Sequence, residues 1–422
     1  MSKHLLPLHP HWLLGVTACI CFFQASPVFA NEKNEDPMKQ VPFGGEDCEN
    51  DYGPSLLIEP RVHLRAVVGD TDLEDAGLAR GGHDPIYSGI SVPALSLGAD
   101  ILYGEHFAGF TEGIVSWNDQ DGWDAELEEL YVKIMHLPGG FEIKAGQLLA
   151  TVGTQNNIHN HGWKFVDADM GSVRFLGEDG LIIEGAEIAW LAPTRWDDLL
   201  TISFGKAIEH THEEEHGDKH HGEHEDEHEE HGDELKEQKD EHGHSEEAEE
   251  SLWDRNLFIA RYQATFWPGD TYQLVYGASY VQGKNFMGRT ARLYGLDLTY
   301  TWLQDEDHGK QFAWRNEAMF REVDTDEGSF DEFALSSAAL YKFNREWEIG
   351  LRYDYLEGVN DPELPERHRI SPSLAHYLPI KNIESVIRLQ YNYDHSEERG
   401  NDHSVWLQFG FEWGAGGDAH VH

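Results

Sequence analysis

The feature that most constrains the fold is a run of about ten residues in which apolar and polar side chains alternate, and which recurs along the chain. In one such run, Tyr294, Leu296 and Leu298 alternate with Gly295 and Asp297. A period of two is typical of an extended strand with one apolar and one polar face. A run of this length is what a tilted strand needs to cross a bilayer.

Sixteen runs of this kind can be placed, an even number, as expected of bacterial membrane barrels. They are 56–68, 96–103, 107–117, 127–136, 140–152, 181–192, 199–208, 255–267, 271–283, 291–304, 311–323, 331–343, 346–356, 367–378, 383–393 and 404–413. Charged residues repeat on the polar face, and Tyr and Trp gather towards strand ends, as at a membrane interface. The sequence therefore predicts an all-β fold, a transmembrane antiparallel up-and-down β-barrel of about 16 strands, in preference to a soluble sandwich.

The connections between these runs alternate between short and long. With the N-terminus in the periplasm, the three longest connections all fall on the outer side: 69–95, 153–180 and 209–254. The predicted barrel, residues 56–413, thus carries its long loops at one end.

The N-terminal residues 1–30 have the pattern of an export signal: a weakly basic start, an apolar core and a small-residue cleavage site ending at Ala30. A lipoprotein processing site at Cys19 is the alternative. Residues 31–55 are polar and are interpreted as a periplasmic lead-in. Removal of the signal leaves Cys48 as the single cysteine, which excludes an internal disulfide.

A segment between two strands, residues 209–250, holds ten histidines and twenty acidic residues against three lysines. Its composition predicts a solvent-exposed, disordered loop, because it cannot bury enough apolar surface to offset the entropy cost of ordering. Imidazole and carboxylate are ordinary ligands of Zn²⁺ and similar divalent cations. The predicted metal ligands in this segment are His210, His212, His216, His220, His221, His224, His228, His231, His242 and His244. A solvated acidic loop that only shields the surface is the alternative.

A second candidate metal site lies on the predicted outer loop 153–180. His159 and His161 are two residues apart, so that both rings fall on one face of an extended segment. Asp167 and Asp169 follow downstream. Packing within a folded-in loop would use the same residues.

The net charge of the chain is −47. A protein this acidic repels nucleic acid, whereas it attracts cations. Divalent metal ions are therefore predicted partners, and zinc or a similar cation is the predicted ligand or solute. Outer-membrane lipid is a further predicted partner because of the barrel. No cofactor is required.

Several motifs resemble the porin-like outer-membrane proteins related to the phosphate-selective porins, in particular those described as zinc-regulated. The similar pieces are Leu127–Tyr131, Ala145–Gln147, Asn157–His161, Leu176–Leu181 and the tail from His403 to His422. The resemblance implies a barrel of the bacterial outer membrane that is linked to metal uptake. Two departures stand out: the polar strand faces mix acids with bases, where a phosphate channel needs mainly bases, and residues 414–422 form a tail bearing His420 and His422.

The leading hypothesis is a non-enzymatic porin-like channel whose outer loop gathers zinc or a similar cation. A non-transporting surface barrel that binds metal, and a general or phosphate-type porin with an incidental loop, are the alternatives. A homotrimer is expected by analogy with other sixteen-stranded porins.

Overall fold

A computed structural model describes most of the chain between residues 55 and 414. The described ranges are 55–72, 81–85, 87–118, 122–194, 196–208, 253–269, 271–305, 308–325, 328–359, 365–380, 383–397 and 400–414. The predicted signal peptide, nearly all of the predicted lead-in, the segment 209–250 and the tail beyond residue 414 lie outside these ranges.

Sixteen β-strands form one closed antiparallel barrel, in which each strand pairs with the next along the chain and β1 pairs with β16. The strands are β1 (Leu56–Thr71), β2 (Gly89–Tyr103), β3 (Phe107–Asn118), β4 (Gly122–Leu137), β5 (Phe141–Leu149), β6 (Ile182–Leu191), β7 (Leu199–Ile208), β8 (Trp253–Gly269), β9 (Tyr272–Asn285), β10 (Thr290–Asp305), β11 (Lys310–Asp324), β12 (Ser329–Lys342), β13 (Trp347–Leu356), β14 (Arg367–Tyr377), β15 (Glu384–Ser396) and β16 (Gly400–Gly414). The predicted 16-stranded up-and-down barrel is confirmed.

Two strands begin clearly earlier than predicted. β4 begins at Gly122 rather than at residue 127, and the difference is larger for β2. β2 begins at Gly89, whereas the alternation predicted a start at residue 96. The register of β2 against β3 shifts between Val92 and Leu95, and the adjacent Pro93 and Ala94 are both buried. A β-bulge adds a residue and breaks the period of two, and it also accommodates a proline, which has no N–H for the ladder. The bulge therefore hides the first part of β2 from the sequence pattern.

The two faces of the strands have opposite character. In β10, Leu296 is 66% exposed on the outer surface, while the adjacent Asp297 is 6% exposed and points inward. In β1, the polar positions Arg61, His63 and Arg65 are all buried inside. An apolar outer surface around a polar interior is the arrangement of a barrel that spans a lipid bilayer.

The connection between β5 and β6, residues 150–181, carries a 3₁₀-helix, Asn160–Gly162, and an α-helix, α1 (Met170–Leu176). The Asp169 carboxylate caps α1 by accepting a hydrogen bond of 2.9 Å from the Ser172 amide. All seven residues of α1 are buried, because the connection folds into the barrel. No helix in the described part of the chain has the length and apolar character needed to span a membrane.

An apolar core fills one side of the interior where α1 packs against the inner faces of the strands. It includes Leu148, Met170, Phe175, Leu176, Ile183, Leu257, Val281, Leu293 and Met319. The Trp253 indole, at the start of β8, donates a hydrogen bond of 2.7 Å to the Phe175 carbonyl. The core therefore holds α1 at the end of the barrel where the long connections lie.

Candidate functional site

The inward-folded connection is fixed to one side of the barrel by Asp167. Its carboxylate accepts hydrogen bonds from Arg352 (2.8 Å) on β13 and Arg369 (3.1 Å) on β14. It also accepts hydrogen bonds from Gln390 (2.6 Å) and Asn392 (2.7 Å) on β15. Burial alone would raise the pKa of Asp167, but the two guanidinium groups lower it. Asp167 is therefore an ionised anchor.

The same connection is also fixed to β9 and β11. The Thr154 amide and hydroxyl donate hydrogen bonds of 3.0 and 2.9 Å to Glu317, and the Gly153 amide donates one of 3.1 Å to the Ser279 hydroxyl. Gly153 has φ +58°, and a Cβ there would lie 1.6 Å from a Glu317 oxygen. A side chain at position 153 would thus displace this second anchor.

A cluster of acids and imidazoles forms where the connection meets β3 and β4. This acid–histidine cluster consists of Glu112, Glu128, Glu129, His159 and His161. Glu128 and Glu129 are adjacent in sequence, yet they are 3% and 1% exposed. Glu112 pairs with Glu129 and Gly113 pairs with Leu127, so that Glu128 is the extra residue of a β-bulge. The bulge turns two consecutive carboxylates towards the interior.

His159 lies between the carboxylates of this cluster. Its Nε2 is 2.9 Å from Glu129 Oε2, and its Nδ1 is 3.0 Å from Glu128 Oε2 and 3.9 Å from Glu112 Oε1. Burial by itself lowers the pKa of His159, but the charges of Glu128 and Glu112 and the hydrogen bonds to Glu128 and Glu129 raise it well above its ordinary value. The site therefore favours a positive charge at this position, either a proton or a metal ion.

His161 extends the cluster towards β16 and β1. Its ring stacks on that of His159, with centroids 5.6 Å apart. Its Nε2 is 3.9 Å from Glu112 Oε1, and its Nδ1 is 3.6 Å from Glu412 Oε2. His63 on β1 lies alongside, 5.0 Å from His161 between ring centroids. Both loop imidazoles lie near the same Glu112 oxygen, although Asn160–Gly162 form a 3₁₀-helix instead of the extended segment on which the predicted i, i+2 arrangement rested.

A second group lies beside the cluster and joins three elements. His83, in the β1–β2 connection, has its Nε2 3.1 Å from Glu126 on β4 and 3.6 Å from Asp179 in the β5–β6 connection. Burial by itself lowers the pKa of His83, but the hydrogen bond with Glu126 and the charges of Asp179, Glu126 and Glu128 raise it to about 10. His83 thus acts as a buried cation that clamps the two connections to β4.

Basic side chains lie on the opposite part of the inner wall. Arg65 donates to the Val166 carbonyl, and Arg388 donates a hydrogen bond of 3.4 Å to the Phe165 carbonyl. Arg352 lies over the Phe165 ring at 4.7 Å. The interior therefore has an acidic side at β3 and β4 and a basic side running from β13 to β1, where most arginines contact the connection itself.

Of the predicted site residues in the β5–β6 connection, two lie in the cluster and two lie elsewhere. His159 and His161 enter the cluster, whereas Asp167 anchors the connection and Asp169 caps α1. The ten predicted ligands in 209–250 lie outside the described residues. Sequence reasoning missed Glu112, Glu128, Glu129, His63 and His83 as site residues. The adjacent pair Glu128-Glu129 between two leucines breaks the alternation of apolar and polar residues. This break is the signal from which the two glutamates could have been found.

Comparison with known proteins agrees with this architecture. No known family model matches the chain. A curated protein of Aquifex aeolicus (strain VF5), described as uncharacterized, is 26% identical over 258 residues, which are 56% of this chain and 49% of that protein. The chain thus spans about half the length of the curated relative that it matches.

Three solved structures share the barrel at low sequence identity. An anion-selective porin from Comamonas acidovorans is 10% identical with a TM-score of 0.50, over 86% of this chain and 99% of that one. The outer membrane channel DcaP of Acinetobacter baumannii is 12% identical with a TM-score of 0.51, over 86% and 98%. OprB of Pseudomonas putida is 10% identical with a TM-score of 0.51, over 85% and 94%. At these identities the likeness concerns the fold, and the chain is an outer-membrane β-barrel of porin-like fold.

Proposed function

We propose that the protein is a porin-like channel that admits divalent cations, zinc or a similar metal, across the outer membrane. In this proposal the segment 209–250 gathers the cations at the outer mouth, and the barrel lets them diffuse to the periplasm. This function corresponds to the zinc-regulated porins that the motifs resemble.

The observation that carries the proposal is the acid–histidine cluster on an inward-folded connection inside a polar barrel. Such a connection narrows the interior, so that solutes pass close to its side chains. The carboxylates of the cluster are buried, so that they attract passing cations through their charge rather than by contact. Carboxylate and imidazole are also the ligands that borderline divalent metals prefer.

A cavity next to the connection offers space for a small solute inside the barrel. It has a volume of about 270 Å³ and lies between the connection and β7–β11. Its polar lining includes Thr154, Asn157, Thr201, Gln263 and Arg315. Apolar side chains, Ile158, Leu199 and Val275, complete the lining.

The charge of the chain supports cations as the solute. The net charge is −47, and the segment 209–250 contributes twenty acidic residues against three lysines. A surface of one sign raises the local concentration of the opposite ion.

The test is zinc-dependent current through the purified protein in a planar bilayer, with and without residues 209–250. A cation-selective conductance that zinc modulates only when the segment is present is the expected result. An anion-selective conductance would contradict the proposal and favour a general or phosphate-type porin, for which the arginines of the basic side are the supporting observation.

A second candidate function is a surface barrel that binds metal without transporting it. The apolar core around α1 favours this candidate, because it occupies part of the interior at the end with the long connections. Absence of conductance, together with zinc binding that is lost on deletion of 209–250, would identify this function instead.

A further inference from the structure

We infer that the acid–histidine cluster is a site for one resident divalent metal ion of borderline type, such as Zn²⁺, inside the barrel wall. The proposed ligands are two carboxylates from neighbouring strands and two imidazoles from the inward-folded connection: Glu112, Glu128, His159 and His161. This inference goes beyond the proposed channel function, since a metal held here would tie the connection to β3 and β4 whether or not ions flow.

The ring nitrogens of His159 are arranged as in a metal ligand. Nε2 faces Glu129 at 2.9 Å, and the other Glu129 oxygen accepts a hydrogen bond of 2.7 Å from the Leu149 amide. Histidines that bind metal usually donate their other N–H to a carboxylate in this way. Nδ1 is then directed at Glu128 Oε2, 3.0 Å away, and at Glu112 Oε1, 3.9 Å away.

His161 repeats this arrangement from the other side. Its Nε2 is 3.9 Å from the same Glu112 oxygen, while its Nδ1 is 3.6 Å from Glu412 Oε2. Glu129 and Glu412 are thus outer carboxylates that orient the two imidazoles. In a tetrahedral zinc site, bonds of about 2.0–2.2 Å place the ligand atoms roughly 3.4 Å apart. One ligand atom each of Glu112, Glu128 and His159 lie within 4.8 Å of one another, and His161 would have to move towards them to become the fourth ligand.

Glu112 provides an independent observation that points to a ligand. It is 2% exposed, and its Oε1 accepts no hydrogen bond from the described residues, although both imidazoles lie 3.9 Å away. A buried carboxylate oxygen in this situation is costly unless a cation satisfies it. A metal ion between Glu112 and the two histidines would do so.

The charge balance also fits a divalent ion. Three buried carboxylates face each other in the cluster, and nearby cations are engaged by other acids. Arg61 pairs with Asp100, and Lys144 pairs with Glu187 at 3.4 Å. Protonation of the histidines is the competing explanation, and it requires no metal.

The decisive measurement is X-ray diffraction at the zinc absorption edge from crystals of the full chain grown with zinc. An anomalous difference peak within bonding distance of the four ligands is expected. Clear density for the cluster without such a peak would overturn the inference and would support protonated histidines.

A solution experiment uses Co²⁺, whose visible absorption is intense in four-coordinate sites and weak in hydrated ones, and compares variants of the cluster in the full chain. Glu112→Gln should abolish the intense band. Glu129→Gln should retain the band and weaken Co²⁺ affinity roughly 10–100-fold, as expected for an outer carboxylate. Asp198→Asn, which changes a carboxylate of the β6–β7 turn that accepts hydrogen bonds from Thr194 and Tyr262 and does not contact the connection, should leave the affinity within about twofold.

An intense band that survives in Glu112→Gln would contradict the ligand assignment. The measurements distinguish failure of the channel function from failure of the resident metal site. Zinc conductance without the band would leave the channel function and remove the resident site. The band without conductance would leave the site and remove the channel function.

Discussion

At the scale of residues, the bulge at Glu128 decides the chemistry of the site. A regular strand would have turned one of the two consecutive glutamates outward, towards lipid. The extra residue places both carboxylates inside, where they face His159. A local irregularity of one residue thus converts an ordinary strand into one wall of a candidate metal site.

The stabilising contribution of the His83 clamp should depend on pH. The folded-state pKa is raised to about 10, against about 6.5 for a free histidine. Its stabilising contribution is therefore fully present below about pH 6.5 and is lost as pH rises through about 10. Amide hydrogen exchange over residues 81–85 at pH 7 should be faster in His83→Gln than in the wild type.

The charged groups that face His83 are Glu126 and Glu128 from β4 and Asp179 from the β5–β6 connection. Above about pH 10, the exchange rates of wild type and His83→Gln should converge, because the wild-type clamp is then neutral. A difference between the two that persists unchanged at pH 11 would show that His83 does not act through its charge.

At the scale of elements, the connection 150–181 organises the interior. It contacts β9 and β11 through Gly153 and Thr154, and it contacts β13 to β15 through Asp167. These contacts lie on different parts of the wall, so that the connection is held as a bridge inside the barrel. Its position, rather than the strands alone, decides which side chains meet in the interior.

An element-scale prediction follows for Asp167→Asn. This change removes the negative charge between Arg352 and Arg369, and breaking a buried ion pair typically costs about 3–5 kcal/mol. The loss should lie towards the low end, because Arg352 also contacts Asp354 and Arg369 also contacts Asp394. Hydrogen exchange across residues 163–170 should accelerate, while exchange in the strands stays unchanged.

Asp198→Asn is the matched control for this prediction. Asp198 lies in a short turn at the other end of the barrel, where it accepts hydrogen bonds from Thr194 and Tyr262. The same change of charge there should leave exchange over 163–170 as in the wild type. Equal effects of the two variants would mean that Asp167 does not anchor the connection specifically.

At the scale of the whole molecule, the charge of −47 sets how ions approach. The field of surface charges reaches about 10 Å at 0.1 M salt and about 3 Å at 1 M. The proposed cation preference should therefore be strong in dilute salt and weak in concentrated salt. Reversal potentials under a fixed KCl ratio, measured at both concentrations, test this expectation.

Deletion of 209–250 tests how much this segment contributes to the cation preference. It removes seventeen net negative charges, the excess of twenty acids over three lysines. The reversal potential in dilute salt should fall towards its value in concentrated salt. A preference that is independent of both salt and the deletion would place the selectivity entirely in the interior.

The sequence by itself determined the barrel, because alternation with a period of two is a local property that each strand carries independently of its neighbours. Strand number, the facing of side chains such as Arg61 and Leu296, and the end that carries the long connections all follow from it. The start of β2 was wrong where the bulge near Pro93 interrupts that period. The metal affinity of the segment 209–250 stays a prediction from composition.

Only the tertiary structure decided where the connection 150–181 lies and what faces its histidines. His159 and Glu129 are 30 residues apart in the chain, and His161 meets Glu412 from the last strand. Such contacts depend on closure of the barrel, on the bulge at Glu128 and on the anchors of the connection. None of these is encoded by the spacing of residues along a single strand, which is why the sequence could nominate His159 and His161 but not the carboxylates that surround them.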